Sequence, residues 1–347
     1  MSGHPSSGSP TVSILIRIRN EASALSRVLQ LLATQELHAE RETVVLDNTS
    51  DDDSADVALA AGARVFRLPR HLFGYGRAIN VGVELCRGEF VVLLSAHAWP
   101  QGERWLQTMV DALREDPNLA GAYCRQAQAE PLSRQEDRRF RAFGRHGYVL
   151  GPDDLFDRTR RGADVYEICR FSNSACILRR EAAAALTYRD LPYAEDRGFV
   201  LDALLDGHRI AYVPDAVVTY QRPYSFRSLY HVGRRAQIAK HLIREIATAG
   251  LGRDMRRNDT PRLLGLLLLK PAGTAWRILA SPLVDRGASA RARRYALASW
   301  GSTLGMLVGD LTWRSHRSAA GCDASLLQAA REQVQPHRTR ATAPPPG

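Results

Sequence analysis

The sequence lacks several features that would place it in particular classes of protein. Its five cysteines, at positions 86, 124, 169, 176 and 322, include no CxxC pair and no zinc-finger spacing, which argues against a zinc-binding domain. An odd, scattered set is typical of reduced core thiols in a cytosolic protein. No apolar run reaches the ~18 residues that a membrane-spanning helix requires. The polar N-terminus, MSGHPSSGSP, has no apolar core and does not resemble a signal peptide. We therefore expect a cytoplasmic protein.

Lysine is almost absent, since Lys240 and Lys270 are the only two among 47 basic residues. The formal net charge of +10 and the pI near 9.7 indicate an anionic partner, such as a nucleotide, a phospholipid surface or a nucleic acid. A chain rich in Arg and Ala is also typical of a GC-rich bacterial genome, so charge alone does not choose a partner. No basic run is interleaved with aromatic residues, which argues against a nucleic-acid groove.

The first hundred residues alternate between strand and helix patterns. The predicted strands are Val12–Ile18, Thr43–Leu46, Arg64–Leu68 and Phe90–Leu94, and the predicted helices are Ser23–Ala33, a segment that Ser50 caps and that runs through Ala61, and Arg77–Cys86. This alternation is typical of an α/β fold with a doubly wound, mostly parallel, Rossmann-like sheet. The 347 residues suffice for one large domain or two moderate ones.

The stretch FGYGRAINVGVELCRGEFVVLLSAHAWP, residues 73–100, is the most informative part of the chain. Its apolar strand Phe90–Leu94 ends abruptly at Ser95, Ala96 and His97, and Trp99-Pro100 is not expected to continue it. Ligands of open α/β sheets bind just beyond the carboxyl ends of the strands. Ser95 and His97 are therefore candidates for chemistry, although a plain strand end with a solvated histidine explains the pattern equally well.

The second half of the chain continues the pattern and then becomes helical. Strand character returns at Phe171–Leu178, Arg209–Val213 and Ala216–Tyr220, with a helix at Phe199–Leu205. The polar, Arg-rich region Glu130–Arg161 is expected to be an irregular, mobile loop with a helix inside it. We expect a catalytic domain over residues 11–230, a helical region over 231–330, and disordered tails at 1–10 and 331–347.

Two sets of carboxylates are candidates for function. Asp47 lies at a strand end, where it can accept hydrogen bonds from a base or a ribose hydroxyl. A helix-capping or turn aspartate without a ligand-binding role would give the same sequence pattern. Glu195 and Asp196 precede a helix, where they would favour its positive end, or one of them would serve as a general base.

Three arginines lie beside predicted strand ends or the Gly-rich turn: Arg77, Arg125 and Arg222. Guanidinium groups bind diphosphate with bidentate geometry. Any arginine-rich chain places some arginines near loops, however, so each one taken singly is weak support for an anion site.

Taken in order, these segments resemble family 2 of the glycosyltransferases, which have a GT-A fold, and within it the bacterial rhamnosyltransferase-like branch. The resemblance covers about residues 11–240, and the segments that carry it are VSILIRIRNEA, VVLDNTSDDDS, residues 73–100, GAYCRQ, FSNSACILRR, AEDRGFVLDALLDGHRIAYVPDAVV and PYSFRSLYHVGRR. Several ordered motifs are more specific than any one of them.

The resemblance implies an inverting hexosyltransferase that moves a sugar from a UDP- or dTDP-linked donor to a hydroxyl of a glycan, a lipid-linked glycan or a small molecule. It makes Asp196, with Glu195, the catalytic pair. It assigns the donor to Asp47, Arg19, Glu21, Arg77, Ser95, His97, Arg125, Asn173 and Arg222. Two alternatives stay open, namely a catalytically silent GT-A domain acting as a binding or scaffold subunit, and a polyprenyl-phosphate sugar synthase.

Two departures from the family leave metal dependence open. Most members have Asp-x-Asp where this chain has Ser95-Ala96-His97, and a late metal-ligand histidine is replaced near Tyr220 and Arg222. Mg²⁺ prefers carboxylate oxygens, whereas an imidazole from His97 suits Mn²⁺ better. Without a metal, the arginines would neutralise the leaving diphosphate instead.

The C-terminal region contains an apolar stretch, Leu263–Leu269 followed by Ala272–Leu279, that is flanked by basic residues. It would either lie in a membrane interface, at the inner face of the plasma membrane, or pack on the catalytic domain. Contact with a membrane surface and formation of a homodimer are both left open.

Overall fold

The computed structural model describes residues 11–128, 146–220, 225–267, 301–320 and 324–337. Within these residues, ten strands form one sheet in the order β10-β3-β2-β1-β4-β8-β6-β9-β5, and β7 pairs with β9. The strands are β1 Val12–Ile18, β2 Arg41–Asp47, β3 Arg64–Arg67, β4 Phe90–Ser95, β5 Ala98–Pro100, β6 Leu119–Gln128, β7 Tyr148–Leu150, β8 Ala175–Arg179, β9 Arg209–Tyr220 and β10 Gln335–Pro336. The helices are α1 Ala22–Ala33, α2 Ser54–Ala60, α3 Tyr75–Leu85, α4 Trp105–Glu115, α5 Pro152–Arg160, α6 Val165–Ile168, α7 Arg180–Leu186, α8 Glu195–Leu205 and α9 Phe226–Leu251, followed by helical residues 260–267 and 301–312 and a last helix, Ala324–Gln333.

The predicted α/β class and its doubly wound core are confirmed. Strands β3, β2, β1 and β4 are parallel neighbours, joined by helices as the sequence pattern predicts. Strand β8 then inserts in the antiparallel sense between β4 and β6. The parallel half of the sheet therefore brings the carboxyl ends of β1, β2 and β4 to one edge.

The core lies on both faces of the sheet, which explains why its central strands are apolar without a polar alternation. In β1, Leu15 packs on the face covered by α3 and α8, whereas Ile14 and Ile16 pack on the face covered by α1 and α4. All three are buried. Strands covered on both sides read as continuous apolar runs, and this is why β1 and β4 are correctly predicted from sequence.

Several elements differ from the sequence-based expectation. The strand predicted at Phe171–Leu178 begins only at Ala175. Helix α8 begins at Glu195, so the Glu195-Asp196 pair forms its first turn rather than preceding it. The two predicted last strands are one strand, β9, whose pairing register with β6 shifts at Cys124/Arg125. Trp99-Pro100 does not extend β4, but Ala98–Pro100 forms a separate short strand against β9. An edge position tolerates a proline, because its missing N–H is not needed there.

The C-terminal part is helical in the residues described, as expected. The prediction of disorder from residue 331 is wrong for residues 331–337, because the last helix ends at Gln333 and Gln335–Pro336 pairs with β3. Three further segments lie outside the described residues, namely 1–10, 268–300 and 338–347. The second of these contains most of the apolar stretch Leu263–Leu269 and Ala272–Leu279. Among the described residues, no helix is both long enough and apolar enough to cross a bilayer.

The four cysteines in the described residues are free and buried: Cys86, Cys124, Cys169 and Cys176. Burial raises the pKa of the Cys86 thiol to about 12. These side chains act as small apolar groups, as predicted, and Cys322 lies outside the described residues.

Candidate active site at the carboxyl edge of the sheet

The ends of β1, β2 and β4 bring three polar side chains to one rim. Ile18 pairs with Asp47 on one side of β1, and Arg17 pairs with Ser95 on the other side. Asp47 and Ser95 therefore flank the end of the same strand, as expected for a ligand-binding edge.

Asp47 is buried, with 3% of its surface exposed, and its carboxylate has a fixed orientation. Oδ1 accepts hydrogen bonds from the Ser50 backbone N–H at 3.0 Å and from the Ser50 hydroxyl at 2.6 Å. Ser50 therefore closes a turn onto Asp47, and the prediction that it caps α2 is wrong, because α2 begins only at Ser54. A carboxylate held in this way is preorganised to accept a donor from a ligand.

The next residue, Asn48, is a candidate site residue that sequence reasoning missed. Its side-chain Oδ1 is buried and has no hydrogen-bond partner among the described residues. Buried acceptors without a partner are uncommon in native proteins and call for an explanation such as a missing ligand or water. Asp47 and Asn48 thus supply two neighbouring acceptors at the end of β2.

Hydrogen bonds between backbone N–H groups and side-chain oxygens connect the loop after β1 to the segment after β2. The backbone N–H of Asn20 donates to Ser50 Oγ at 2.9 Å, and the N–H of Glu21 donates to Ser54 Oγ at 2.9 Å. The Asn20 side chain in turn accepts from the Asp51 N–H at 2.8 Å. This cross-linking fixes the position of Glu21 at the start of α1.

Glu21 meets the Ser95-Ala96-His97 segment across the rim. His97 Nε2 lies 3.1 Å from Glu21 Oε1, and each side chain is about a quarter exposed. The backbone N–H of His97 also donates a hydrogen bond to Ser95 Oγ at 3.3 Å. The position of the missing Asp-x-Asp motif is therefore occupied by an imidazole, a hydroxyl and one carboxylate that comes from a different loop.

Asp196 lies in the first turn of α8, after a strained backbone position. Ala194 adopts the left-handed conformation at φ 56° and ψ 34°, which is unfavourable for a residue with a side chain. Asp196 Oδ1 accepts the Arg197 N–H at 2.8 Å, and the carboxylate also accepts the backbone N–H of Asn173. Burial, followed by the neighbouring charge of Glu195, raises the pKa of Asp196 from 3.8 to about 7, although the side chain remains half-buried.

Asn173, two residues before the start of β8, contacts both carboxylates. Its Nδ2 donates to Glu195 Oε1 at 3.2 Å, and its Oδ1 accepts from the Tyr188 hydroxyl at 3.0 Å. Tyr188 is buried and stacks on Phe199, with ring centroids 4.6 Å apart. Glu195 is thus held in place by the Asn173 amide, next to Asp196 in the same turn.

Helix α3 holds the segment that leads into the catalytic pair. Asn80 makes two hydrogen bonds to the backbone of Tyr188, donating to its carbonyl at 2.9 Å and accepting its N–H at 2.7 Å. Gly76 lies against the carbonyl of Arg189, where a Cβ would overlap the oxygen. Gly76 therefore permits a close approach of two backbones, a role that the sequence alone did not indicate.

The predicted arginines occupy different environments. Arg77 is buried, forms an ion pair with Asp190 and donates to the Leu72 carbonyl at 3.0 Å, so its charge is already partnered. Arg125 is half-buried and near the Tyr212 phenol. Arg19 is exposed, and Arg222 lies outside the described residues.

Arg17 is a second missed residue. Its guanidinium donates to the Tyr75 carbonyl at 3.2 Å, and it is near enough to Tyr188 to lower the pKa of that phenol, which burial raises. A single cationic residue in the otherwise apolar strand VSILIRI was the signal that could have identified it.

The described residues also contain a group of His241, Asp259 and Asp310 whose ligand atoms lie within 4.8 Å of one another. This group lies on α9 and the segments that follow it, not at the rim. Its carboxylates are already engaged, since Arg244 Nη1 lies 2.9 Å from Asp259 and His241 Nε2 lies 2.5 Å from Asp310.

The raised pKa of Asp196 predicts a pH-dependent stability difference that Asp196→Asn would remove. Ionisation is easier in the unfolded chain than in the native one, so the ionised carboxylate destabilises the fold increasingly between pH 4 and 7. One pKa unit corresponds to about 1.4 kcal/mol, and because the group is only half-buried we expect a gain of about 1 to 2 kcal/mol for the asparagine variant at pH 8. Urea denaturation at pH 8 and at pH 4 measures it. The gain should vanish at pH 4, and an equal gain at both values would contradict the shift.

Comparison with known proteins gives one family and one fold. The family model described as Glycosyl transferase family 2 matches residues 13–186, which is half of the chain. A mannosyltransferase, PcManGT from Pyrobaculum calidifontis, solved with GDP-Man and Mn²⁺, is 18% identical with a TM-score of 0.51, over 93% of this chain and 86% of that one. S. aureus TarS 1-349, solved with UDP, is 17% identical with a TM-score of 0.50, over 88% and 92% of the two chains. These likenesses confirm the GT-A fold class.

A curated relative matches a shorter segment. The undecaprenyl-phosphate 4-deoxy-4-formamido-L-arabinose transferase of Pseudomonas fluorescens is 36% identical over 92 residues, which is 24% of this chain and 27% of that protein. The match therefore spans about a quarter of the length of the relative.

Proposed function

The chain belongs to glycosyl transferase family 2, and we propose that it is an inverting glycosyltransferase that moves a sugar from a nucleotide-diphosphate donor to an acceptor hydroxyl, with Asp196 as the general base. The observation that carries this proposal is the position of the Asp196 carboxylate, which the backbone N–H groups of Arg197 and Asn173 hold in the first turn of α8, next to the sheet edge where ligands of this fold class bind. Burial raises the pKa of this carboxyl group to about 7. A base is most effective when its pKa lies near the working pH.

The proposed reaction is a single displacement at the anomeric carbon of the donor sugar. Asp196 accepts the proton of the acceptor hydroxyl, and the oxygen attacks the anomeric carbon from the face opposite the diphosphate. The bond from that carbon to the diphosphate oxygen breaks, and the nucleoside diphosphate leaves with the electron pair. Inversion results, because bond formation and bond cleavage occur on opposite faces of the sugar ring.

Asp47 and Asn48 suit the base of the nucleotide. Uracil and thymine each present an imide N–H, and two neighbouring acceptors at the end of β2 would bind it or a ribose hydroxyl. Arg17 and Ser95, side by side at the ends of β1 and β4, suit the diphosphate end. Arg19, Arg77, Arg125 and Arg222 remain predicted donor contacts, although the pairing of Arg77 with Asp190 favours a structural role for that residue.

Glu21, Ser95 and His97 fit a divalent ion at the diphosphate end. The carboxylate of Glu21 supplies an oxygen that the missing Asp-x-Asp would otherwise provide, and an imidazole favours Mn²⁺ over Mg²⁺. A bound ion would neutralise charge on the leaving diphosphate.

Replacing His97 by alanine is expected to weaken Mn²⁺ binding, measured by electron paramagnetic resonance in the presence of a nucleoside diphosphate, by about tenfold or more. Loss of one nitrogen ligand is the physical reason. His38→Ala is the matched control, because His38 is exposed and lies in the loop before β2, at the opposite edge of the sheet. Unchanged Mn²⁺ affinity in the His97 variant would assign charge neutralisation to the arginines instead.

The identity of the donor is open to a direct screen. The motifs that resemble the rhamnosyltransferase-like branch make UDP- and dTDP-linked hexoses the first donors to test. A donor present at a hundred times its dissociation constant adds about 2.7 kcal/mol to the stability, which a thermal-shift screen detects. Hydrolysis of the same donors, with and without chelator, distinguishes an enzyme from a binding or scaffold subunit. A donor that binds but is neither transferred nor hydrolysed would contradict the proposed activity.

The second candidate is a polyprenyl-phosphate sugar synthase, and the match to the undecaprenyl-phosphate transferase favours it. Its acceptor is a phosphate oxygen that is already ionised at neutral pH, so that reaction requires no general base. A measured dependence on Asp196 therefore separates the two functions.

A further inference from the structure

A cavity of about 420 Å³ lies in the C-terminal half of the chain, among side chains that the proposed reaction does not use. It is lined by His241 of α9, Arg256, Arg257, Asn258 and Thr260 of the segment after α9, and Asp310, Leu311, Trp313 and Arg314 near the end of the helical residues 301–312. Its volume is in the range of sites for small ligands.

The carboxylates at the inner wall of this cavity already have hydrogen-bond or ion-pair partners. Asp310 Oδ1 accepts from His241 at 2.5 Å and from Gln237 at 3.1 Å, and its Oδ2 accepts from the Thr260 hydroxyl. Asp259, beside it, is bound by Arg244 at 2.9 Å. A divalent cation would have to displace these partners, so the acidic side chains do not favour a metal.

The outer wall carries unbalanced positive charge. Arg256 is paired with Asp254 at 2.8 Å. Arg257 donates to the carbonyl of Gly162, and Arg314 lies 5.9 Å from the centroid of the Trp313 ring. Neither Arg257 nor Arg314 has a carboxylate partner among the described residues. Two arginines that line the cavity, Arg257 and Arg314, thus have no carboxylate counter-charge among the described residues.

We propose that this cavity is a second ligand site that binds a phosphate or diphosphate group through Arg257 and Arg314. Guanidinium groups match phosphate oxygens with paired N–H donors, which is why such groups select phosphate. Trp313 gives the wall a rigid aromatic face, stacked on His241 at 4.8 Å between centroids. Leu311, which is 67% exposed, borders the same cavity. Both a soluble phosphate ester and a lipid headgroup present this chemistry. The site does not depend on the transferase reaction.

The test uses the full chain and inorganic pyrophosphate as the probe, titrated by isothermal calorimetry at low salt. The double variant Arg257→Gln, Arg314→Gln is expected to weaken binding at least about tenfold, because each change removes a charge-assisted hydrogen-bond donor. The double variant Arg253→Gln, Arg262→Gln removes the same net charge from exposed positions that do not line the cavity, and it should bind as the unmodified chain does. Circular dichroism checks that both variants are folded.

Equal affinity for pyrophosphate in the cavity variant and the unmodified chain would overturn the proposal. Equal weakening in both double variants would also overturn it, because that result would reflect net charge alone. A second arm identifies the source of the phosphate. Flotation with vesicles that contain phosphatidic acid, lost in the Arg257/Arg314 variant, supports a lipid headgroup, whereas pyrophosphate binding without flotation supports a soluble phosphate ester.

Discussion

Replacing Asp196 by asparagine is expected to lower turnover at least about a hundredfold. The amide keeps the size and polarity of the side chain and can still accept the N–H groups of Arg197 and Asn173, but it cannot accept a proton from the acceptor. Donor affinity should stay within about twofold, because removal of a general base affects mainly the transition state. Steady-state kinetics with a titrated donor measures both quantities.

The matched control for this change is Asp206→Asn, at an exposed aspartate just after the other end of the same helix. It should leave turnover unchanged. The pH dependence of kcat/KM gives an independent check, since the rate should rise with pH through about 7 as Asp196 loses its proton. An Asp196→Asn enzyme that retains full turnover would remove this residue from the reaction and favour an acceptor that is already ionised.

Replacing Gly76 by alanine is expected to destabilise the fold by about 2 to 3 kcal/mol and to lower activity as well. The added Cβ would overlap the backbone carbonyl oxygen of Arg189, which cannot rotate away as a flexible side chain could. The backbone of residues 188–190 would have to move, and this segment leads into Glu195 and Asp196. Chemical denaturation measures the stability, and the transfer assay measures the activity.

Gly265→Ala is the matched control, because Gly265 is also helical but has no atom within 4 Å of an added Cβ. Both changes reduce the entropy of the unfolded chain to the same extent, so the difference between them isolates the contact. The control should be stabilised by up to about 1 kcal/mol. If Gly76→Ala were as stable as Gly265→Ala, the close approach of α3 to residues 188–190 would not exist.

The parallel half of the sheet could be predicted because its signal is local. Strands such as β1 and β4 are apolar runs between turn residues, and each delivers a polar residue to the same edge. Asp47 and Ser95 were identified for that reason. Ser50 was assigned a cap that it does not form, because a serine at a turn can bond the preceding aspartate as readily as a helix end.

The network around Asp196 could not be read from the sequence, because its members are far apart along the chain. Asn80 and Tyr188 are 108 residues apart, and nothing in either neighbourhood indicates the contact. The Gly-rich turn that contains Gly74 and Gly76 is visible in the sequence, but the close contacts of these glycines with residues 188–190 depend on the tertiary fold. The pKa of Asp196 likewise depends on burial, which no local pattern reports.

The segment Ser95-Ala96-His97, which stands in place of Asp-x-Asp, could be only partly interpreted from the sequence. The motif alone suggests a lost metal site. In the structure, Glu21 from the loop after β1 reaches His97, so one carboxylate returns to the rim from a different segment. The acidic turn after β2 makes this possible, since Ser54 holds the Glu21 backbone at 2.9 Å.

The most direct test is a crystal structure of the Asp196→Asn variant with an intact UDP- or dTDP-linked sugar, which the slow variant would preserve. We predict that the base lies against Asp47, that the diphosphate lies beside Ser95 and His97, and that residue 196 faces the side of the anomeric carbon opposite the diphosphate. A nucleotide bound away from residues 47, 97 and 196, or a sugar whose open face points away from α8, would contradict the proposed reaction.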